Sequence, residues 1–562
     1  MTSTRISGSK AILESLAHQG VDIVFGYPGG AIMPLYDALH DMHHKIRHIL
    51  VRHEQGAVHA AEGYARACGK TGVCIATSGP GATNLVTGIA DAMLDSVPVV
   101  CITGQVASHL LGTDAFQEVD IIGITVPITK WNYQITHSDE IPEIIAKAFY
   151  IANTGRPGPV LIDITKDAQF GMLDYTPHQY KPNRKEALQL DIARLQLAAD
   201  LINQAKKPYI LAGHGVLIAN AQQALINFAQ QAHIPIAQTL LGLSAVPNDH
   251  PLYVGMLGMH GNYGANVLTN EADVIIAIGM RFDDRVTGNL NSYAKQAKII
   301  HIDIDPVEID KHMKTEVALI SDAKIALEKL LPLINKNSHS DWFKQFQDHD
   351  KKEYQVVIEP ELDGKHHKLR MAEVVNQLSE KTKGNAIIVT DVGQHQMIAA
   401  RYYRFNRTHA HISSGGAGTM GFALPAGIGA QFAQPKTPVI VINGDGGFQM
   451  NIQELGVIAQ ENLNVKIIIL NNNYLGMVRQ WQELFFEKRY SFTHLKNPDF
   501  IKIAQAYGIK AKRVSDRSEL NTGLDEMLQA NEAFLLEVVV EAQENIFPMI
   551  ASGTGVGEMR LT

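Results

Sequence analysis

Residues 439–446 read VIVINGDG and residues 465–472 read VKIIILNN. Each opens on a short apolar run rich in β-branched residues, which is what a strand buried on both faces requires. Between them, Phe448–Gln460 spaces its apolar residues helically, so the unit reads strand, helix, strand. Such a crossover is right-handed, which sets both strand ends at the carboxyl edge of one parallel sheet, where open α/β sheets bind ligands. Asp445 then follows the first strand and Asn472 the second. A carboxylate, an amide oxygen and a nearby backbone carbonyl form part of an all-oxygen shell, and Mg²⁺ held in this way takes phosphate oxygens as further ligands. Glycines beside the aspartate let the backbone approach such a phosphate.

Strand and helix signals alternate along the rest of the chain, which makes the class α/β. At 562 residues it exceeds a single core. Two polar stretches, TPHQYKPNRKEALQL (176–190) and a charged segment over 336–367, read as linkers. They separate domains at 1–178, 190–335 and 368–562. In the middle segment, KPYILAGHGV, ADVIIAIGMRFDDRVTG and AKIIHIDIDP each end a buried strand in Gly, Asp or Arg, a nucleotide-binding look without a dinucleotide fingerprint.

A net charge of −8 and the lack of a long basic run argue against nucleic acid as a partner. No stretch approaches the roughly 18 apolar residues of a membrane span, and the amino terminus lacks an apolar signal core, so a cytoplasmic protein is expected. Cys68, Cys74 and Cys101 lack metal-ligand spacing and read as reduced thiols. His40, His43 and His44, like His366 and His367, read as solvated loop residues. Gly416–Gly421 fits G-x-G-x-x-G, yet the preceding THAHISS is a poor buried strand, so no nicotinamide site is expected.

GDG followed by NN at this distance resembles the diphosphate and magnesium motif of thiamine-diphosphate enzymes. Further segments extend the likeness over nearly the whole chain: FGYPGGAIMPLYDAL, RHEQGAVHAAEGYARA, GTDAFQEVD, GRPGPVLIDITKD, MRFDDRVTG, DVGQHQM, GTMGFALPA and NNNYLGMVRQWQELFF. In this order they resemble the large subunits of the acetohydroxyacid (acetolactate) synthase family. The resemblance implies three doubly wound parallel-sheet domains. The first and last would have the thiamine-diphosphate-binding fold, and the middle one would be a Rossmann-like FAD domain.

The family pattern assigns Glu54 to the pyrimidine nitrogen of the cofactor, and Asp445, Asn472 and the Tyr474 carbonyl to Mg²⁺. Gln394, His395, Gly446, Gly447 and Gly476 would line the diphosphate. Gly418, Met420 and Met477 would lie against the cofactor, with Met420 bracing its bent form. Gly30 and Gln117 would sit near the reacting carbonyl and Lys166 at the entrance. Arg285 would fix the carboxylate of a 2-oxoacid, and Trp481 would form a wall that favours 2-oxobutanoate over pyruvate as acceptor. For FAD the pattern gives Arg156, Gly213, Gly215, Thr239, Leu240, His260, Gly279, Arg281, Asp303 and Asp322. Ser244 stands where the family wording has glycine.

The activity implied is decarboxylation of pyruvate and transfer of the hydroxyethyl carbanion to a second pyruvate or to 2-oxobutanoate. This is the entry to valine, leucine and isoleucine synthesis. The resemblance also implies a homodimer or homotetramer with active sites between subunits, and a small regulatory subunit. A thiamine–FAD pyruvate oxidase is the nearest rival. Glyoxylate carboligases lack the glutamate that Glu54 supplies, and intact Glu54, Asp445 and Asn472 oppose a paralogue without turnover.

Overall fold

A computed structural model describes residues 4–180 and 190–562. Of the expected linker at 176–190, residues 181–189 lie outside the described residues. The chain builds three parallel sheets of six strands each and one antiparallel pair, Thr4–Ser7 with Met172–Tyr175. The apolar runs form the central strands because a parallel sheet covered by helices on both faces leaves no polar side.

The first sheet runs, from edge to edge, Arg47–Leu50, Ile23–Gly26, Gly72–Ala76, Val99–Gln105, Val160–Thr165, Trp131–Ile135. The last runs His411–Ser413, Ile387–Thr390, Val439–Gly444, Val465–Asn471, Phe534–Val539, Lys510–Val514. Numbered by sequence within their own domains, both have the order 2-1-3-4-6-5. The middle sheet has Pro208–Ala212 beside Val274–Ile278 at its centre and the order 3-2-1-4-5-6, that of dinucleotide-binding folds.

Helix Glu54–Cys68 of the first domain packs across helix Ala423–Ala433 of the last. The crossing has no room for side chains: a Cβ on Gly63 would lie 1.9 Å from the Ala426 carbonyl oxygen, and one on Gly429 1.8 Å from that of Ala60. Both helices contribute to a single apolar core together with strands of the first and last sheets.

Three local expectations differ from the structure. The helix expected over Phe448–Gln460 breaks into Asp445–Met450, a 3₁₀ turn at Ile452–Glu454, and Leu455–Gln460. The break falls where the buried Asn451 side chain donates to the Gly421 carbonyl. The run THAHISS does hold a strand, His411–Ser413, buried at the sheet's edge. The charged segment 336–367, expected as a linker, is largely helical. In helix Ser340–Glu353, Trp342 and Phe346 lie one turn apart and are buried against Tyr209, so two aromatic anchors dock an otherwise charged helix onto the middle domain.

Candidate active site

A cavity of about 580 Å³ opens where the carboxyl edges of the middle and last sheets face each other. On the last domain it begins at the switch between Ile387–Thr390 and Val439–Gly444, neighbouring strands whose connections leave in opposite directions. Asp445 is buried there, accepts from the Asn497 amide at 2.6 Å, and is pushed up to about 6 by burial. The Asn472 side-chain oxygen accepts from the Tyr474 N–H at 3.0 Å, and both residues line the cavity. Gly446 and Gly447 occupy the first turn of helix Asp445–Met450, where backbone N–H groups lack intrahelical acceptors. Space beside them is tight: a Cβ on Gly447 would meet the Asp391 side chain at 2.4 Å, and one on the neighbouring Gly476 would meet that of Gln394 at 2.2 Å.

These residues suit a metal-bound diphosphate. His395 carries the clearest sign: its Nε2 is buried without a hydrogen-bond partner and borders the cavity, and burial holds the ring neutral, with a pKa lowered to about 3. A phosphate oxygen would give that atom a partner. Gly418, at φ 67, Met420 and Met477 line the same wall, and the Met420 methyl would lie 3.7 Å from a Cβ on Gly446. Arg285 and Trp481 border the cavity as well. Arg285 is largely exposed, with its guanidinium free of any strong ion pair: its nearest carboxylate oxygen, on Asp284, is 3.7 Å away.

The middle domain supplies the opposite wall. Gly215 and Gly279 face each other at the switch between its first and fourth strands, where a Cβ on Gly215 would lie 2.6 Å from the Gly279 Cα. Gly213 stands directly behind them, its Cβ position 2.3 Å from the Gly279 carbonyl oxygen. This backbone cradle fits a nucleotide's phosphates. Thr239, Leu240, His260 and Arg281 line the cavity beside it, and Arg156, Asp303 and Asp322 its further end. His260 Nε2 is a second buried nitrogen without a partner, and burial pulls its pKa down to about 4. Asp322 caps helix Ala323–Leu330 through the N–H groups of Lys324 and Ile325. Arg156 donates to Ser96 and Glu308. Ser244 sits at φ 75, a conformation that favours glycine, and its hydroxyl accepts from the Ala410 N–H.

Besides Gly213, four expected residues do not line this cavity. Gly30, Glu54, Gln117 and Lys166 lie at the carboxyl edge of the first sheet, Gly30 and Lys166 exposed, Glu54 and Gln117 half-buried. Small residues draw the first three together: Gly81 lies against Glu54, Gly79 against Gln117, and the Thr77 hydroxyl accepts from the Ala31 N–H beside Gly30. Glu54 opens its helix and accepts from the Asn84 amide at 3.0 Å.

Two residues of the site went unassigned in the sequence. Asp391 carries the same signal as Asp445, an acid just past a buried strand; burial raises it to about 7, and it accepts from the Gly421 N–H. Asn497, which orients Asp445, lies in a coil with no such signal. The histidines at 40, 43 and 44 are solvated, as expected.

Comparison with known proteins accounts for this arrangement. Three family models match in chain order: thiamine pyrophosphate enzyme, N-terminal TPP binding domain, over residues 6–124; central domain, over 195–330; and C-terminal TPP binding domain, over 391–538. The acetolactate synthase isozyme 2 large subunit of Escherichia coli is 46% identical over 559 residues, 99% of each chain. The acetolactate synthase large subunit of Lactococcus lactis is 47% identical, covering 98% of this chain and 96% of its own. A probable acetolactate synthase large subunit of Methanocaldococcus jannaschii is 46% identical, covering 98% and 94%. With a matching model for each of its three sheets and relatives that align end to end, this chain belongs to the thiamine pyrophosphate enzymes, in the family of acetolactate synthase large subunits.

Proposed function

We propose that the chain is a catalytic subunit that condenses pyruvate, with loss of CO₂, onto a second pyruvate or onto 2-oxobutanoate, giving 2-acetolactate or 2-aceto-2-hydroxybutanoate. This is the first common step toward the branched-chain amino acids. The observation that carries the reading is the single cavity in which the Asp445–Asn472 oxygens and the unpartnered His395 nitrogen face a glycine cradle for a second, nucleotide-like group. Thiamine diphosphate, when bound, supplies the electron sink that decarboxylation of a 2-oxoacid requires.

Each side chain has a part. Asp445, Asn472 and the Tyr474 carbonyl would hold Mg²⁺. Gln394, His395, Gly446, Gly447 and Gly476 would receive the diphosphate, and Met420 with Gly418 and Met477 would brace the bent cofactor. Glu54 would hold a proton at its carboxyl group against the pyrimidine nitrogen. Gly30 and Gln117 would flank the reacting carbonyl, with Lys166 at the entrance. Arg285 would orient the acceptor carboxylate by a two-pronged hydrogen bond, and Trp481 would contact its alkyl end. FAD would occupy the cradle between Arg156 and Asp322 as a companion in a redox-neutral reaction.

Glu54 and the Asp445 cavity belong to separate surfaces of one chain, so we assign the working site to a homodimer or homotetramer, each cavity completed by a second copy's first domain. Apolar residues left bare at both carboxyl edges support this, among them Phe116, 87% exposed, and Phe492, 98% exposed. The domain limits 1–178, 190–335 and 368–562, a small regulatory subunit and a cytoplasmic location complete the proposal. Among the described residues no helix is long and apolar enough to cross a membrane.

Purified protein given thiamine diphosphate, Mg²⁺ and pyruvate should form acetolactate by the colour assay. Pyruvate-driven flavin reduction with release of acetyl phosphate would replace this reading with a pyruvate oxidase. Glu54→Gln should still bind the cofactor yet exchange its thiazolium C2 proton far more slowly; exchange at the wild-type rate removes Glu54 from that role.

A further inference from the structure

The loop Ser414–Gly421 carries Gly418 and Met420 into the cavity, and side chains, not a sheet ladder, hold its backbone. The N–H groups of Gly415 and Gly416 donate to Asp95 at 2.9 and 2.6 Å. The Thr419 N–H donates to the Ser414 hydroxyl at 2.8 Å, and the hydroxyls of Ser414 and Thr419 both donate to Asp91, at 2.5 and 3.2 Å. Asp91 and Asp95 sit one turn apart on helix Val86–Asp95 of the first domain, so both acids reach the loop from one helical face. Arg66, on the helix that Glu54 opens, pairs with Asp95 at 2.5 Å and donates to the Ser413 carbonyl.

Behind Asp91 lies a closed group, His59, Glu62 and Asp91, whose possible ligand atoms fall within 4.8 Å of one another. All three side chains are fully buried, and one oxygen each of Glu62 and Asp91 has no hydrogen-bond partner. A cation is a poor occupant, because the Arg66 guanidinium already supplies positive charge to the same network. Two carboxylates this close and this dry cannot both be ionised. Asp91 is the better anion, since it accepts two hydroxyl donors. His59 meets the other Glu62 oxygen at 2.9 Å, and burial keeps that ring uncharged, its pKa lowered to about 3. A proton on Glu62 Oε2, donated to Asp91 Oδ2, gives both unpartnered oxygens a partner.

We propose that Asp91 and Asp95, with Glu62 kept as a neutral acid hydrogen-bonded to Asp91, are positioning residues that fix the Ser414–Gly421 loop and thereby seat Met420 at the cofactor. The bracing part of Met420 rests on the thiamine reading above; the restraint on the loop does not.

Amide hydrogen exchange on the purified full-length protein, with and without thiamine diphosphate, tests this. In Asp91→Ala the peptide spanning 414–421 should exchange about tenfold faster or more, while strand Val274–Ile278 keeps its wild-type rate. The same variant should bind thiamine diphosphate about tenfold more weakly. Glu62→Gln, which keeps a neutral donor toward Asp91, should match wild type in both measurements. Wild-type exchange of the loop in Asp91→Ala overturns the proposal. So does a Glu62→Gln variant that behaves like Asp91→Ala, because the neutral-acid assignment then fails. If Asp91→Ala does not fold, Ser414→Ala removes one hydroxyl and should accelerate loop exchange in the same direction; no acceleration overturns the proposal. A wild-type protein that makes no acetolactate would defeat the functional reading while leaving the exchange result to stand alone.

Discussion

Trp481 is half-buried on helix Gly476–Phe485, its ring 5.3 Å from that of Phe485, and it lines the cavity that Arg285 also borders. A flat apolar wall there gains more from an ethyl than from a methyl group, and one methylene is worth about 1–3 kcal/mol. Trp481→Leu should therefore lower the ratio of 2-aceto-2-hydroxybutanoate to 2-acetolactate about tenfold in competition between the two acceptors, with acetolactate formation from pyruvate alone largely kept. An unchanged product ratio would take Trp481 out of the acceptor pocket. Residues such as Asp445 and Asn472 were legible in the sequence because each ends a buried strand whose apolar run fixes where the chain leaves the sheet. Asn497, Asp91 and Asp95 were not legible. Their partners lie 52, 323 and 320 residues away for the bonds to Asp445, Ser414 and Gly415, and no local pattern reports such a contact.

Among the secondary-structure elements, the pair of helices Glu54–Cys68 and Ala423–Ala433 is the tightest junction between the first and last domains. Glycine is a poor helix former, and the packed structure gives Gly63 and Gly429 their purpose, which is to let backbone meet backbone. Gly429→Ala would place a methyl group 1.8 Å from the Ala60 carbonyl oxygen, a clash that a helix axis cannot relieve by rotating a side chain. The expected cost is about 3 kcal/mol of unfolding free energy, measurable as a lowered melting temperature. A variant that melts with the wild type would show that the helices can part without loss. The strands that periodicity predicted fall within a residue or two of their observed ends. Two of the misread elements share one cause: Trp342 and Phe346 hold a charged helix, and Asn451 breaks an apolar one, through contacts with distant chain.

For the molecule as a whole, the first and last sheets repeat one strand order, and the carboxyl edge of each carries half of the proposed machinery. Since Gly30, Glu54, Gln117 and Lys166 lie outside the chain's own cavity, activity should require association. Specific activity should fall on dilution in step with the dimer fraction measured by sedimentation; a dissociated chain with full activity would refute the shared site. The three-domain plan was legible because each sheet announces itself in apolar runs. The pairing of edges between copies was not, as nothing in a linear pattern says which copy's edge faces which.

Beyond strand Phe534–Val539 the chain bonds to both the middle and the last domain. Gln394 and Arg479 donate to the Glu544 carbonyl, and Gln480 exchanges hydrogen bonds with Ile546. His260 meets the Pro548 carbonyl, Ile550 donates to Met259, and Asn289 to Thr554. Both walls of the cleft thus lean on the segment 544–554, which follows the last strand. During synthesis the cleft cannot take its full shape before translation has passed residue 554.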